Sequence, residues 1–302
     1  MLKLNTKRIL VPIDFSETSL IAIRHACFLA KINRGEVFLL HIVSRNLEAF
    51  NIIQAEINLD LSYKNTATAI EKKLEQLATE LKAEFGIPVF AEVSSGNVSL
   101  EIVKISEEEK CGLIVMGTQG YSALEMIFIG SNTMKVLGAS KNPVMSVRTP
   151  ASENGYRNIV LPIDSSTHSR QKVNLAIELC HDFGARLHVI GMTDDMDSSF
   201  EMKLGVIFNQ IEKIADVRKV FVSTSIIRNP DNNAKATLKY AEEVNGDLII
   251  IMSDQDVEYT GIFLGPYASQ VINFSKVPVL TVMPVQTTDI DRKSTRLNSS
   301  HT

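Results

Sequence analysis

The 302-residue sequence has no tryptophan, few cysteines and no long apolar run. Its three cysteines, Cys27, Cys111 and Cys180, do not suffice for a disulfide framework, and no CxxC or Cys/His spacing suits zinc. We expect all three to be buried as small apolar side chains. The apolar runs fall short of the roughly 20 residues of a membrane span, and no signal-peptide pattern is present. These absences predict a cytoplasmic protein with reduced thiols and no membrane partner.

Positive charge is not in excess either. The 31 Lys and Arg residues stand against 35 Asp and Glu, a formal net charge of -4. This balance argues against nucleic acid as a partner, because the phosphate backbone requires a basic surface. The histidines show no spacing suited to a metal site or a catalytic triad.

The end of the sequence differs from the rest. Residues 291–301 have no apolar periodicity and resemble a translated sequencing adapter. We therefore expect residues 286–302 to be a disordered, non-native tail, and a natural basic tail is the alternative.

The sequence repeats itself. Four blocks recur in the same order, and Asp14 aligns with Asp164 while Gly35 aligns with Gly184. The blocks are 8–16 with 157–166, 35–41 with 184–190, 113–116 with 248–251, and 142–147 with 277–282. The repeat predicts two domains, residues 1–150 and 151–285. The two copies are expected to pack as an intramolecular pseudo-dimer, with a homodimer as the other arrangement.

Each copy alternates strand and helix patterns. The elements predicted in the first copy are strand Arg8–Ile13, helix Ser16–Arg34, strand Val37–Val43, helix Ala69–Phe85, strand Val89–Val93, helix Val98–Lys110, strand Leu113–Met116, helix Ser131–Ala139 and strand Val144–Val147. Gly35 is expected to stop the first helix. The segment 49–68, absent from the second copy, is predicted to be a lid or surface helix. The alternation predicts α/β architecture: two tandem doubly wound domains, each a mainly parallel five-stranded sheet flanked by helices.

A glycine motif follows the predicted strand Leu113–Met116. Its pattern is G-x2-G-x9-G-S, formed by Gly117, Gly120, Gly130 and Ser131. Glycines let backbone N–H groups approach an anion, and a helix N-terminus after the last glycine favours phosphate. A Walker A loop requires a lysine after the last glycine, and none is present here. A Rossmann fingerprint would follow the first strand, whereas this motif follows a later one.

This motif, with VPIDFS at 11–16 and LLHIV at 39–43, resembles the universal stress protein family. The resemblance covers both halves, about residues 5–285, as a tandem member. It implies a Rossmann-like fold related to the adenine nucleotide alpha hydrolases, and an ATP site in the first half, with or without Mg2+. It also implies that the two halves pair through their last strands, Val144–Val147 and Val279–Val282, where an edge strand has unpaired amides.

The resemblance also implies roles for ten residues. They form an adenine and ribose wall of Pro12, Asp14 and Val43, a cover over the ribose and first phosphates of Met116, Gly117 and Gly120, and an outer-phosphate cradle of Gly130, Ser131, Asn132 and Thr133. Asp14 has a second interpretation as a cap of the following helix, and both roles can hold.

The second copy departs from the motif. Met252 and Gln255 replace the first two glycines in an ungapped alignment, or Ser253 and Asp256 after a one-residue shift. Pro266 stands at the position of Ser131 and removes a backbone donor, and Met192 aligns with Val43. Carboxylates at 254, 256 and 258 would repel phosphates. We therefore expect nucleotide binding in the N-terminal half alone.

The sequence thus predicts an ATP-binding stress-response or signalling protein that acts through nucleotide-dependent conformation or assembly. It is not expected to be an enzyme, because no general base and no Lys or Arg finger is evident near the motif; weak ATP hydrolysis is left open. One alternative is a scaffold or regulatory protein that binds no nucleotide. Another is an adenylate-forming enzyme, although DFSE at 14–17 lacks the Ser-Gly-Gly-type loop of that class.

Overall fold

A computed structural model describes residues 6–44, 56–118, 129–148, 155–164, 167–193, 198–253 and 264–284, with the backbone alone at 56–66, 167–168 and 198–200. These residues form one ten-stranded sheet with helices on both faces. The predicted tail, residues 286–302, lies outside the described residues.

The first half follows the predicted alternation of strands and helices. Its elements are β1 (Arg8–Pro12), α1 (Glu17–Asn33), β2 (Glu36–Ser44), α2 (Glu56–Phe85), β3 (Val89–Gly96), α3 (Val98–Glu108), β4 (Leu113–Gly117), α4 (Ser131–Ala139) and β5 (Val144–Val147). The main difference is α2, because residues 56–68 continue the helix predicted for Ala69–Phe85 instead of forming a separate element. The other part of the predicted lid lies outside the described residues.

The second half repeats this order with one change. Its elements are β6 (Asn158–Ile163), α5 (Thr167–Arg170), α6 (Val173–Phe183), β7 (Arg186–Thr193), α7 (Ser198–Val217), β8 (Val222–Arg228), α8 (Asn233–Glu243), β9 (Leu248–Met252), α9 (Pro266–Phe274) and β10 (Val279–Val282). The single helix α1 of the first half therefore corresponds to two helices, α5 and α6, in the second.

The strand order is β3-β2-β1-β4-β5-β10-β9-β6-β7-β8. All neighbours are parallel except β5 and β10, which pair antiparallel with Met145 opposite Leu280. The expected pairing of the last strands is therefore present within the chain. It joins the two five-stranded sheets into one.

Both faces of the sheet are covered by apolar side chains. In β1, Ile9 and Val11 belong to a core beneath α1 and α2, whereas Leu10 belongs to a core on the face of α3 and α4. The near-continuous apolar strands are explained by this burial on two sides. The core is common to both halves, because each cluster contains residues from both.

The sequence alignment of Gly35 with Gly184 is wrong by one residue. Helix α1 ends in the left-handed conformation at Arg34, with φ 51°, and α6 ends in that conformation at Gly184, with φ 64°. Gly35 instead lets the chain pass close to the residues just before β1, because a Cβ there would lie 2.3 Å from the Thr6 carbonyl oxygen. As a consequence Thr193, and not Met192, occupies the position that corresponds to Val43.

Candidate functional site

The candidate site lies where the strand order reverses. From β1 the chain runs outward to β2 and β3, then returns to place β4 on the other side of β1. The carboxyl ends of β1 and β4 therefore form the switch point at which open α/β sheets bind ligands. Asp14 follows β1 there, and Gly117 ends β4.

Asp14 organises the turn between β1 and α1. Its Oδ1 accepts hydrogen bonds from the Ser16 backbone N–H at 3.0 Å and from the Ser16 hydroxyl at 2.5 Å. Ser16 in turn caps α1, because its side chain accepts from the Ser19 N–H at 3.3 Å. Asp14 thus supports the helix cap indirectly, and its side chain is exposed at the strand end.

Gly117 is required by the approach of α1 to β4. A Cβ at this position would lie 2.7 Å from the Thr18 carbonyl carbon and from its hydroxyl oxygen. The Thr18 hydroxyl oxygen lies 3.4 Å from the Ser16 hydroxyl oxygen. A continuous set of contacts therefore connects Asp14, through Ser16 and Thr18, to the end of β4.

The glycine loop is joined at its base by backbone and side-chain bonds. The Gly130 N–H donates to the Thr118 carbonyl at 2.7 Å, and the Thr133 hydroxyl donates to the Gly117 carbonyl at 3.0 Å. The intervening residues 119–128, including Gly120, lie outside the described residues. We call residues 117–118 and 129–133 the neck of the loop.

Helix α4 begins at this neck without a side-chain cap from its own N-terminal residue. Gly130 is the N-cap, and Ser131 and Asn132 follow with exposed side chains. Thr133 is buried and its hydroxyl hydrogen is directed to Gly117, so its contribution to an anion would come from the backbone N–H. A helix N-terminus of this kind presents N–H groups and the positive end of the helix dipole.

The predicted adenine side lies along β1 and β2. Pro12 ends β1, and Val43 lies near the end of β2, both half-buried. Phe15 adopts φ 62°, and its ring packs 5.5 Å from the His41 ring. The Lys73 ammonium of α2 lies 4.1 Å from the Phe15 ring centroid.

Met116 has its side chain in the core. It is 5 % exposed and packs on the sheet face of α3 and α4, so it offers the site its backbone.

Arg148 is a cation that the sequence analysis missed. It directly follows β5, and its Nε donates to the Thr118 hydroxyl at 3.2 Å. One terminal nitrogen is buried without a hydrogen-bond partner within the part of the chain that the structure describes. Burial lowers the pKa of Arg148 from its usual value. No local sequence signal marks this residue, because only the pairing of β4 with β5 brings it to the neck.

The corresponding edge of the second half is built differently. The pairings show that Met252 replaces Gly117 without a shift, since Leu248 pairs opposite Ile159 as Leu113 pairs opposite Ile9. Helix α9 begins with Pro266 after the N-cap Gly265, which removes one backbone donor.

The two edges also differ in the size of the side chain at the strand end. Met252 has the side chain that Gly117 lacks, and the helical segment beside it is interrupted between α5 and α6. The carboxylates expected at 254, 256 and 258 lie outside the described residues.

The fold and this edge define a tandem doubly wound α/β protein with its candidate ligand site at a topological switch point. The model of the universal stress protein family matches residues 5–148 and 155–283. The chain therefore belongs to the universal stress protein family, in a tandem arrangement.

Some relatives match about half of the chain, and another matches nearly all of it. Universal stress proteins MJ0531 and MJ0577 of Methanocaldococcus jannaschii are 33% and 34% identical over 150 and 154 residues, covering 49% and 47% of this chain and 85% and 94% of their own. A universal stress protein of Mycolicibacterium smegmatis is 23% identical over 293 residues, covering 91% of this chain and 97% of its own.

The fold of the whole chain also has a solved counterpart. A universal stress protein from Archaeoglobus fulgidus has a TM-score of 0.72 at 23% identity, covering 93% of this chain and 98% of its own. The likeness extends over both halves and confirms the fold.

Proposed function

We propose that the N-terminal half binds ATP at the switch point and that the C-terminal half does not. Occupancy of this single site shifts a conformational or assembly equilibrium, by which the protein acts in a cytoplasmic stress response. The nucleoside contacts Asp14, Pro12 and Val43, and the phosphates are bound by the neck together with Gly120.

The observation that carries this proposal is the difference between two equivalent helix N-termini. Gly130 and Gly265 have similar backbone angles, with φ -56° and ψ 142° against φ -57° and ψ 156°. The next residue is Ser131 in α4 but Pro266 in α9. The two ends therefore share a geometry, while α4 alone keeps the backbone N–H that an anion needs at this position.

Electrostatics at the neck supports a phosphate. Arg148 is a desolvated cation with one donor nitrogen that has no partner among the described residues. A partly buried guanidinium with such a nitrogen gains free energy when an anion accepts a hydrogen bond from it. The donors of α4 and Arg148 therefore support a phosphate group at the neck.

A bound Mg2+ would take most of its ligands from phosphate oxygens and water. Among the described residues no group of three or more His, Cys, Asp or Glu side chains is placed to hold a metal. Mg2+ in nucleotide sites commonly keeps several waters and few protein ligands. Its contribution would be to neutralise phosphate charge.

We do not propose catalytic turnover. A scaffold that binds no nucleotide and an adenylate-forming or weakly ATP-hydrolysing enzyme are the competing functions.

None of the helices in the described residues is long and apolar enough to cross a membrane. A homodimer, if it forms, would have to use a surface other than the β5 and β10 edges, because these pair within the chain.

The test exchanges the residues at the first helical position of the two N-termini, Ser131 in α4 and Pro266 in α9. Ser131→Pro places in α4 the residue that α9 tolerates, at a position where proline is compatible with a helix. We expect the wild-type chain to bind one ATP, Ser131→Pro to lose about tenfold or more in affinity at unchanged unfolding temperature, and Pro266→Ser to bind like wild type. Calorimetric titration of the full chain measures both stoichiometry and affinity.

The same titration separates the rivals. Absence of saturable ATP binding by the wild type supports the scaffold and overturns our proposal, and two sites per chain would overturn the restriction to the N-terminal half. cAMP, which lacks the outer phosphates, is the competitor expected to bind independently of Ser131. Pyrophosphate release with a carboxylate substrate would indicate the adenylate-forming enzyme.

A further inference from the structure

A side chain of the C-terminal half reaches the neck of the N-terminal loop. The backbone N–H of Ile129 donates to the Asn273 Oδ1 at 3.0 Å. Ile129 is the last residue before Gly130, and Asn273 lies in the last turn of α9. This contact crosses between the two halves at the entrance of α4.

The contact satisfies a group that would otherwise be costly. Ile129 is 8 % exposed, and a buried N–H without an acceptor destabilises a fold. The neighbouring Gly130 N–H is bound within its own half by the Thr118 carbonyl. Two consecutive N–H groups of the neck are therefore held from two different halves.

The orientation of the Asn273 amide follows from its two contacts. The oxygen faces the Ile129 N–H, which can only donate, and the Nδ2 lies 3.5 Å from the Ser269 hydroxyl one turn earlier in α9. This assignment makes the Asn273 oxygen the acceptor of the Ile129 N–H.

Within the described residues, the equivalent position of α4 cannot make the same side-chain contact in the other direction. The residue of α4 that corresponds to Asn273 is Gly138, and the residue that corresponds to Ile129 is Leu264, by the same alignment that pairs Ser131 with Pro266. Glycine has no side chain with which to hold the neck of the second half. The second half therefore contacts the neck of the first half through Asn273. The equivalent position of the first half, Gly138, has no side chain to make that contact with the second.

We propose that Asn273 is a positioning residue through which the C-terminal half holds the neck of the glycine loop. The β5–β10 junction brings α9 to the loop, so the seating of the two halves and the geometry at Gly130 are coupled. The consequence for ATP rests on the proposed function, whereas the effect on the neck itself does not. The C-terminal half does not have the full glycine motif. Through Asn273 it nevertheless takes part in regulating the candidate site of the N-terminal half.

The test uses three variants of the full chain. Asn273→Leu removes the acceptor at similar volume, and Asn273→Asp retains an oxygen acceptor. Asn232→Ala is the control, because Asn232 caps α8 and bonds to Gln270 entirely within the C-terminal half. Amide hydrogen exchange of the peptide covering 117–134 is measured without nucleotide, and ATP affinity is measured by titration.

We expect Asn273→Leu to speed exchange in this peptide and to weaken ATP binding about three- to tenfold, the range of one hydrogen bond. Asn273→Asp should keep exchange at the wild-type rate, whereas its negative charge beside the phosphates should lower ATP affinity, and Asn232→Ala should change neither. The proposal is overturned if Asn273→Leu leaves exchange and affinity at wild-type values, or if Asn232→Ala reproduces its effects. If the wild type binds no ATP, the proposed function fails, and exchange at 117–134 alone decides whether Asn273 holds the neck.

Discussion

The Thr133 hydroxyl donates a hydrogen bond to the Gly117 carbonyl, joining the first turn of α4 to the end of β4. Gly117 also lies against Thr18 of α1, where no Cβ fits. The first glycine of the motif is thus fixed by packing as well as by any ligand. A bulky substitution of Gly117 would disturb the fold directly, so it cannot distinguish a nucleotide site from a scaffold.

Thr133→Val should lower both stability and ATP affinity. The variant keeps the shape of the side chain but leaves the Gly117 carbonyl without its donor, which destabilises by about 1–3 kcal/mol when the group is buried. Urea unfolding gives the free energy, and titration gives the affinity. Thr133→Ser retains the hydroxyl and is the matched control, and equal losses in both variants would contradict this role of the hydrogen bond.

Arg148→Met should separate stability from binding. A partly buried guanidinium with one nitrogen that has no partner among the described residues opposes folding, so its replacement by an apolar side chain should leave the unfolding free energy unchanged or higher. ATP affinity should fall by about tenfold or more, because hydrogen bonds to charged groups contribute about 1.5–3 kcal/mol. Arg148→Lys keeps the charge without the Nε donor and should lose less affinity. Unchanged ATP affinity in Arg148→Met would exclude Arg148 from the phosphate site.

Local sequence signals predicted the elements that depend on local chemistry. The bounds of α4 and β5 agree with the prediction, because Gly130 marks the start of one and an apolar run defines the other. The end of α1 shows the limit of such signals. Arg34 takes the left-handed position that glycine usually occupies, so the glycine pattern misaligned the halves by one residue.

The contacts that complete the site could not be predicted. Arg148 reaches Thr118 only because β5 lies beside β4, and Asn273 reaches Ile129 only because β5 and β10 pair in one register. Neither residue belongs to a motif. Long-range strand pairing decides their positions, and periodicity within one segment contains no information about it.

The three cysteines should be chemically inert in the folded protein. Burial raises the pKa of each thiol, Cys27, Cys111 and Cys180, to about 12. At pH 8 roughly one thiol in ten thousand would be ionised, and the thiolate is the reactive form. A colorimetric disulfide reagent should label none of the three in native protein and all three in urea. Rapid labelling of native protein would contradict this burial.

The same thiols predict a loss of stability at alkaline pH. Their pKa in the unfolded chain is near 8.5, and folding raises it. The unfolded chain therefore binds fewer protons than the native one above that pH, and the unfolding free energy falls as pH rises toward about 12. Comparison with a Cys180→Ala variant isolates one thiol. The variant should lose less stability than wild type between pH 8 and pH 11, and equal losses would contradict the prediction.

His188 should make the C-terminal half sensitive to mild acid. It is 7 % exposed and lies between the Ser223 hydroxyl, 2.8 Å from Nδ1, and the Asn158 Oδ1, 3.2 Å from Nε2. Burial, and secondarily the charge of Arg186, lowers the pKa of His188. The unfolded chain therefore takes up the proton first, so the stability contributed by neutral His188 is present above about pH 6.5 and is lost as pH falls below it.

His188→Gln should remove this part of the pH dependence, since glutamine keeps hydrogen-bonding capacity but does not titrate. The unfolding free energy of wild type should therefore fall more steeply than that of the variant between pH 7.5 and pH 5. Urea unfolding across this range measures both slopes, and His181→Gln, at an exposed histidine of the same half, is the control. Parallel curves for wild type and His188→Gln would show that the imidazole titrates alike in the folded and unfolded chains, and that burial beside Ser223 and Asn158 does not disfavour its charge.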